Sequence, residues 1–319
     1  MESSKARWIG LSVIALACVL YSMDLTVLNL AIPAISADLQ PSSAQLLWIV
    51  DIYGFMVAGA LITMGTLGDR MGRRRLLMIG AAAFGVASVL AAFSNSAEML
   101  IVTRALHGLA GATIAPSTLS LIRNMFDDPA ERMKAIGIWI SSFSIGAVMG
   151  PLVGGVLLEY FWWGSVFLIN VPVMILLLIL APRLLPEYKD ESAGRMDLPS
   201  AALSLSAVLL LIYALKNTAE QGVNTMGALS FVGGLVLGVW FVRRQAALKD
   251  PLIDLNLFKA PGFKAVLGTY LLSCLTMFGV YVYIAQYLQL VLGLTPLVAG
   301  AWTVPWALAF VVGTNITPW

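Results

Sequence analysis

Apolar residues run along this chain in ten long stretches separated by short polar breaks: 8–33, 46–66, 76–93, 98–122, 134–158, 162–182, 198–216, 227–242, 264–290 and 298–317. A helix needs about 20 residues to cross the hydrocarbon of a bilayer. Most of the stretches reach that length, and runs of this kind at regular spacing predict helices rather than a β-barrel. The eighth is short and is expected to tilt little or to thin the bilayer locally. The predicted fold class is an all-α polytopic membrane protein.

Charged and strongly polar positions inside these stretches are few. The first carries Asp24 and Asn29, the second Asp51, and the fourth Arg104. A carboxylate near a bilayer centre costs about 2.5–3.5 kcal/mol on insertion scales. Such a residue normally faces a water-filled cavity or a partner. At 1.5 Å per residue, Asp24 lies roughly 14 Å from the outer edge of its helix, and Asp51 and Arg104 each lie about 9 Å in. Two acids and one base at comparable depth are expected to share one cavity. Alternatively, Asp24 and Arg104 form a buried structural pair and Asp51 is an acid that reaches water.

The basic residues set the orientation. With the N-terminus inside, the inner segments hold 17 of the 19 Lys and Arg, among them Lys5, Arg7, Arg70, Arg73, Arg74, Arg75, Arg123, Arg183, Arg243 and Arg244. The outer loops hold only Lys216, and Arg104 is inside a helix. That bias predicts a cytoplasmic N-terminus. The basic lead of Lys5 and Arg7 imitates a signal peptide, but the apolar run continues to Pro33 without a small-residue cleavage site, so it is read as the first span.

Composition agrees. Of 319 residues, 60% are hydrophobic and 11% charged, against about 25% charged in soluble domains. A net charge of +2 gives no reason to expect nucleic acid. Two cysteines, both in apolar helices, and a single histidine assemble no Cys/His metal cluster. No phosphate loop and no nucleophile–base–acid spacing is found. Neither an enzyme nor a cofactor is therefore expected, and coupling is expected to be to an ion gradient rather than to ATP hydrolysis.

A carboxylate in an apolar cavity is destabilised as an anion, so a proton and a cation can compete for it. Aromatic neighbours add attraction for a lipophilic cation. Candidates are Tyr21, Trp48, Tyr53, Phe55, Trp139 and Phe143. The loop after the second stretch carries Gly65, Asp69, Arg70, Gly72, Arg73, Arg74 and Arg75. Its glycines allow a tight turn, and Asp69 can latch neighbouring helices, with Arg123 as a partner. In the fifth stretch, Gly146, Gly150 and Gly154 stand four apart, beside Pro151 and Gly155. Glycines so spaced let helices approach closely, and Pro151 weakens its helix locally.

These motifs carry a family resemblance. Gly65–Arg75 resembles the loop 2–3 motif of the major facilitator superfamily, and Arg104 followed by Gly108 resembles its helix-four motif, with His107 where glutamine is commoner. Gly146–Gly155 resembles the antiporter motif of drug/proton exporters. The Asp24–Pro33 stretch, Phe167–Pro172 and Pro251–Phe258 resemble segments of the fourteen-helix drug:proton antiporter family. The resemblance covers essentially the whole chain. It implies two six-helix bundles with two helices inserted between them: residues 1–182 as the first bundle, 183–197 as a cytoplasmic linker, 198–242 as the inserted pair, 243–263 as a cytoplasmic loop, and 264–319 as the first two helices of an incomplete second bundle. The four missing helices are expected to be needed for function. The resemblance also implies that Asp24 and Asp51 take part in proton coupling and cation recognition, with Arg104 and Asn29 beside them. The implied activity is proton-coupled export of lipophilic mono- and dications, such as quaternary ammonium compounds, viologens and dyes, across the bacterial inner membrane. The implied partners are the lipid bilayer, protons and small cations. Two alternatives stay open: export of an endogenous amphiphilic metabolite, and a non-transporting truncated fragment.

Overall fold

The computed structural model describes residues 4–190 and 197–294, with isolated positions beyond 294. The described residues are overwhelmingly helical, and among them eight helical stretches are long and apolar enough to cross a membrane. The ninth apolar stretch lies in a helix over Pro261–Gln286, and most of the tenth falls outside the described residues.

The first helix, α1 (Ser4–Leu39), does not stop at Pro33 as the hydropathy suggests. Its extension is held by packing: Ile35 is fully buried in a cluster with Ile49, Leu100 and Phe167, and Asp38 accepts a hydrogen bond from Trp163 Nε1 at 2.7 Å. Burial of that turn outweighs the one backbone bond that a proline removes. The second, α2 (Ser43–Met71), begins at a capping box. Ser42 Oγ accepts from the Gln45 amide, and Gln45 Oε1 accepts from the Ser42 amide at 2.8 Å. Next comes α3 (Arg73–Ala92).

Two predicted single spans are each broken. The fourth is α4 (Ala97–Gly111) followed by α5 (Ile114–Met125), and the sixth is α7 (Ser165–Leu168) followed by α8 (Asn170–Leu184), with the long α6 (Pro129–Tyr160) between them. Each break has the same cause. Pro116 and Pro172 are the third residues of α5 and α8. A proline has no N–H for the carbonyl four residues back, so a first turn is where a helix accepts it at least cost. Pro151 sits inside α6, which stays continuous to Tyr160.

Helix α1 is central, lying against α5, α6 and α8. Helix α2 packs on α4, and α3 packs on α4 and α8. The core has two parts. One gathers Leu11, Ile14, Phe84, Leu121, Phe126 and Leu177 toward the arginine-bearing end. The other gathers Val27, Leu28, Ile49, Leu100 and Phe167 toward the opposite end. Asp24 lies on α1 between Met23 of the first cluster and Val27 of the second.

Helices α9 (Leu198–Gln221) and α10 (Thr225–Ala247) form an antiparallel pair, and α9 packs on α2. At one end of the pair, Asp197 accepts a forked pair of hydrogen bonds from Arg244, at 2.7 and 2.9 Å, and one from Ser200. The Arg244 bonds, then that of Ser200, hold the Asp197 carboxyl down at about 2. A carboxylate pKa lowered by folding contributes stability above its unfolded value of about 3.9 and loses it as pH falls through the folded value. Wild type is therefore expected to melt slightly above Asp197→Asn at pH 7, with the gap closing between about pH 4 and pH 2. Intrinsic fluorescence melts across that range check it, and a gap independent of pH overturns it.

Candidate functional site

The central feature is a buried ion pair. Asp24 on α1 and Arg104 on α4 are each 1% exposed, and Arg104 Nη1 donates to Asp24 Oδ2. The other carboxylate oxygen, Oδ1, accepts from Asn170 Nδ2 at 3.3 Å. Asn170 is the first residue of α8, set there by the break before Pro172. Arg104 also donates from Nε to the Ile49 carbonyl of α2 at 3.4 Å. Its guanidinium lies 4.6 Å from the Tyr53 ring centroid and 5.8 Å from that of Phe167. One guanidinium thus ties α1, α2, α4 and α7 together, with its charge matched by a carboxylate and spread against two ring faces.

His107, one turn from Arg104, sits in the same interior. Its Nε2 is 2.7 Å from Ser88 Oγ on α3, and its ring packs 4.4 Å from that of Phe84. Its surroundings are those of a polar packing residue.

Asp51 is not part of this group. Its carboxylate pairs with Lys216 on α9, whose Nζ also donates to the Leu47 carbonyl at 3.4 Å. Both side chains are partly exposed, 33% for Asp51 and 24% for Lys216. The expectation that both acids line one shared cavity is not met: Asp24 is sealed in the bundle and Asp51 faces the inserted pair. Depth along two helices says nothing about which way each side chain faces, and five residues on an α-helix turn a side chain by about 140°. That same rotation corrects Asn29, which lies exposed on α1, away from the buried face that carries Asp24.

The candidate aromatics also divide. Tyr53, fully buried, donates its hydroxyl to the Tyr21 carbonyl at 3.3 Å. Tyr21, Phe143 and Trp139 continue from it ring against ring, at 6.2, 5.8 and 4.9 Å between centroids. Trp139 donates to Thr118 at 2.9 Å. Phe55 belongs elsewhere, with Trp48 beside Lys216.

At the far end of α2, Asp69 pairs with Arg73, four residues on, rather than with Arg123, which is exposed on α5. Arg73 Nη1 also donates to the Pro116 carbonyl at 3.4 Å, a group close to the break in the fourth span. Gly72 turns the chain at φ 107°, a conformation that favours glycine. The segment after α8 crosses this turn. Glu187 accepts from the Arg74 and Arg75 amides at 3.0 and 3.1 Å, so its carboxylate caps the start of α3. The Arg73 amide donates to the Tyr188 carbonyl and the Asp190 amide donates to the Asp69 carbonyl, both at 2.8 Å. A side chain at Gly72 would collide with Glu187. Near this loop a cavity of about 750 Å³ opens, lined in part by Asp69, Arg70, Lys249, Asp254 and Lys259. None of the groups around Asp24 lines it, and it carries both signs of charge. Gly65, close to Pro116, packs loosely.

The glycine run of α6 faces α1. A Cβ at Gly146 would overlap the Val19 carbonyl, one at Gly150 would overlap Thr26, and one at Gly154 would press on Val27 at 2.7 Å. Gly155 is off the seam, with open space around it.

Sequence reading missed Asn170, Lys216, Tyr213 and Glu187 as members of these groups. A signal existed for Lys216, which the charge pattern sets apart as the lone basic residue of the segments expected outside, and which the structure places within α9. Asn170 lies in the Phe167–Pro172 stretch singled out by its resemblance, and for Tyr213 and Glu187 only the fold supplies the neighbour.

Comparisons with known proteins agree with this architecture. The Major Facilitator Superfamily profile matches residues 14–319. The multidrug efflux pump LfrA of Mycolicibacterium smegmatis is 48% identical over 305 residues, covering 96% of this chain and 60% of LfrA. The methyl viologen resistance protein SmvA of Salmonella typhimurium is 42% identical over 302 residues, covering 94% of this chain and 61% of SmvA. The chain thus spans about three fifths of the length of these relatives. The crystal structure of a mutant of the peptide transporter POT in complex with sulfate superposes with a TM-score of 0.54 at 19% identity, over 73% of this chain and 51% of that one.

Proposed function

The chain belongs to the major facilitator superfamily, and on that footing we propose that it is part of a proton-coupled exporter of lipophilic cations in the bacterial plasma membrane, with its N-terminus in the cytoplasm. The observation that carries the reading is the buried Asp24–Arg104 pair at the meeting of four elements of an otherwise apolar bundle. Intramembrane charges are rare, and where they occur they mark ion and substrate pathways. The efflux and resistance roles named for LfrA and SmvA support the same direction.

In this reading the chemistry is exchange at carboxylates. Asp24 is held by Arg104 in the present conformation. A transport step that loosens this contact leaves a carboxylate in apolar surroundings, which takes either a proton or a cation but not both. The glycine seam between α1 and α6 keeps the helix that carries Asp24 close to its neighbour through that step. The turn at Gly72, latched by Asp69, Arg73 and Glu187, is suited to holding the inner face in one of two arrangements.

The test is efflux of ethidium from proteoliposomes holding the full-length protein, with and without an imposed pH gradient. Efflux that accelerates with the gradient is expected, and efflux indifferent to it removes the antiport mechanism.

A further inference from the structure

The surroundings of Asp51 amount to more than a salt bridge. Trp48 on α2 and Tyr213 on α9 stack with centroids 6.1 Å apart and 18° between their planes. Phe55, one turn from Asp51 on α2, meets Trp48 edge-on at 6.1 Å. The Lys216 ammonium is paired with Asp51 and lies 5.8 Å from the Phe55 ring centroid. A carboxylate set among aromatic faces is the chemistry by which proteins recognise organic ammonium ions. Here an ammonium is already in place, and it belongs to the chain itself.

We infer that Asp51, Trp48, Phe55 and Tyr213 form an organic-cation site between α2 and the inserted pair, with Lys216 as its tethered occupant. Cargo enters by displacing the lysine. The inference rests on the cation-export reading and assigns the inserted helices a part in cargo recognition.

Four features favour a displaceable occupant over a fixed strut. The pair is a quarter to a third exposed, and ion pairs open to this degree are weak. The Asp24–Arg104 pair, by contrast, is sealed. Lysine is a compact charge on a flexible stem with no forked geometry to lose, so it yields its partner more readily than an arginine does. The flanks suit a lipophilic guest, because Leu47 and Leu215, near the pair in sequence, are 39% and 65% exposed. A lone outer lysine also stands apart from a strongly inner-basic chain, so its placement serves neither orientation nor the arginine-rich end.

The experiment is equilibrium binding of ethidium to the full-length protein in lipid nanodiscs, read by fluorescence polarisation. Lys216→Met removes the competitor and is expected to tighten binding about threefold or more, the scale of a partly exposed ion pair. Asp51→Asn weakens binding, and adding Lys216→Met to it gives no further tightening. Tyr213→Leu weakens binding without touching the ion pair, and it carries the test alone if Lys216→Met does not fold. Unchanged affinity in both Lys216→Met and Tyr213→Leu overturns the site. If gradient-driven efflux persists in that case, the export reading stands without it. A wild-type protein that neither binds nor exports ethidium removes both.

Discussion

Asp24→Asn is expected to abolish cation efflux and to destabilise the protein by about 3–5 kcal/mol, the cost of leaving one member of a buried ion pair without its partner. The expectation follows from what Arg104 keeps. After the substitution its guanidinium still has the Ile49 carbonyl and two ring faces, but no opposite charge, and almost no exposed surface through which water can compensate. Two effects are therefore mixed in the single variant. The double variant Asp24→Asn with Arg104→Gln separates them, because removing both charges together is often close to neutral. Unfolding midpoints of the double variant are expected near wild type, with efflux still absent. If the double variant exports ethidium at the wild-type rate, the pair is a structural fixture and the exchange chemistry lies elsewhere.

The second large effect is expected at the seam between α1 and α6. Gly146→Val places a branched side chain where the Val19 carbonyl and the Ser22 Cβ already are. The obstacle is mostly backbone, which has no rotamer to move aside, so the helices must separate. Overpacking of this kind costs about 1–3 kcal/mol, and here it also displaces the helix that carries Asp24. Gly155→Val is the internal control: it lies in the same sequence motif but has nothing within 4 Å. Loss of melting temperature and of efflux is expected for the first and near-normal behaviour for the second. Equal behaviour of the two would mean that the run matters as flexible backbone rather than as a contact surface.

The helices were legible because hydropathy reports burial from water directly, whereas the second stretch begins only at 46 on hydropathy although the Ser42 capping box that starts α2 at Ser43 is a local signal. The end of α1 was misjudged because Pro33 is a local signal, whereas Ile35 and Asp38 answer to partners on other helices. The breaks before Pro116 and Pro172 were readable in principle, since a missing N–H is a local fact. At the site, depth alone brought Asp24 and Arg104 to the same level, and the structure pairs them. The same depth argument set Asp51 beside them and failed, because depth fixes one coordinate and leaves the rotation of each helix free. Glu187, 113 residues from the amide it caps, is beyond any local pattern.

The crossing of the Gly72 turn by residues 187–190 shortens a leash. The chain leaves that anchorage at Asp190 and must reach Asp197, the first anchored residue of the next helix pair. The intervening peptide steps extend to roughly 25 Å at most. The two added helices are thereby moored at one end by this short line, and along α9 by its packing on α2. In the exporter proposed above they would therefore travel with α1–α8, and the expected pivot between two bundles would lie further along the chain, after Ala247.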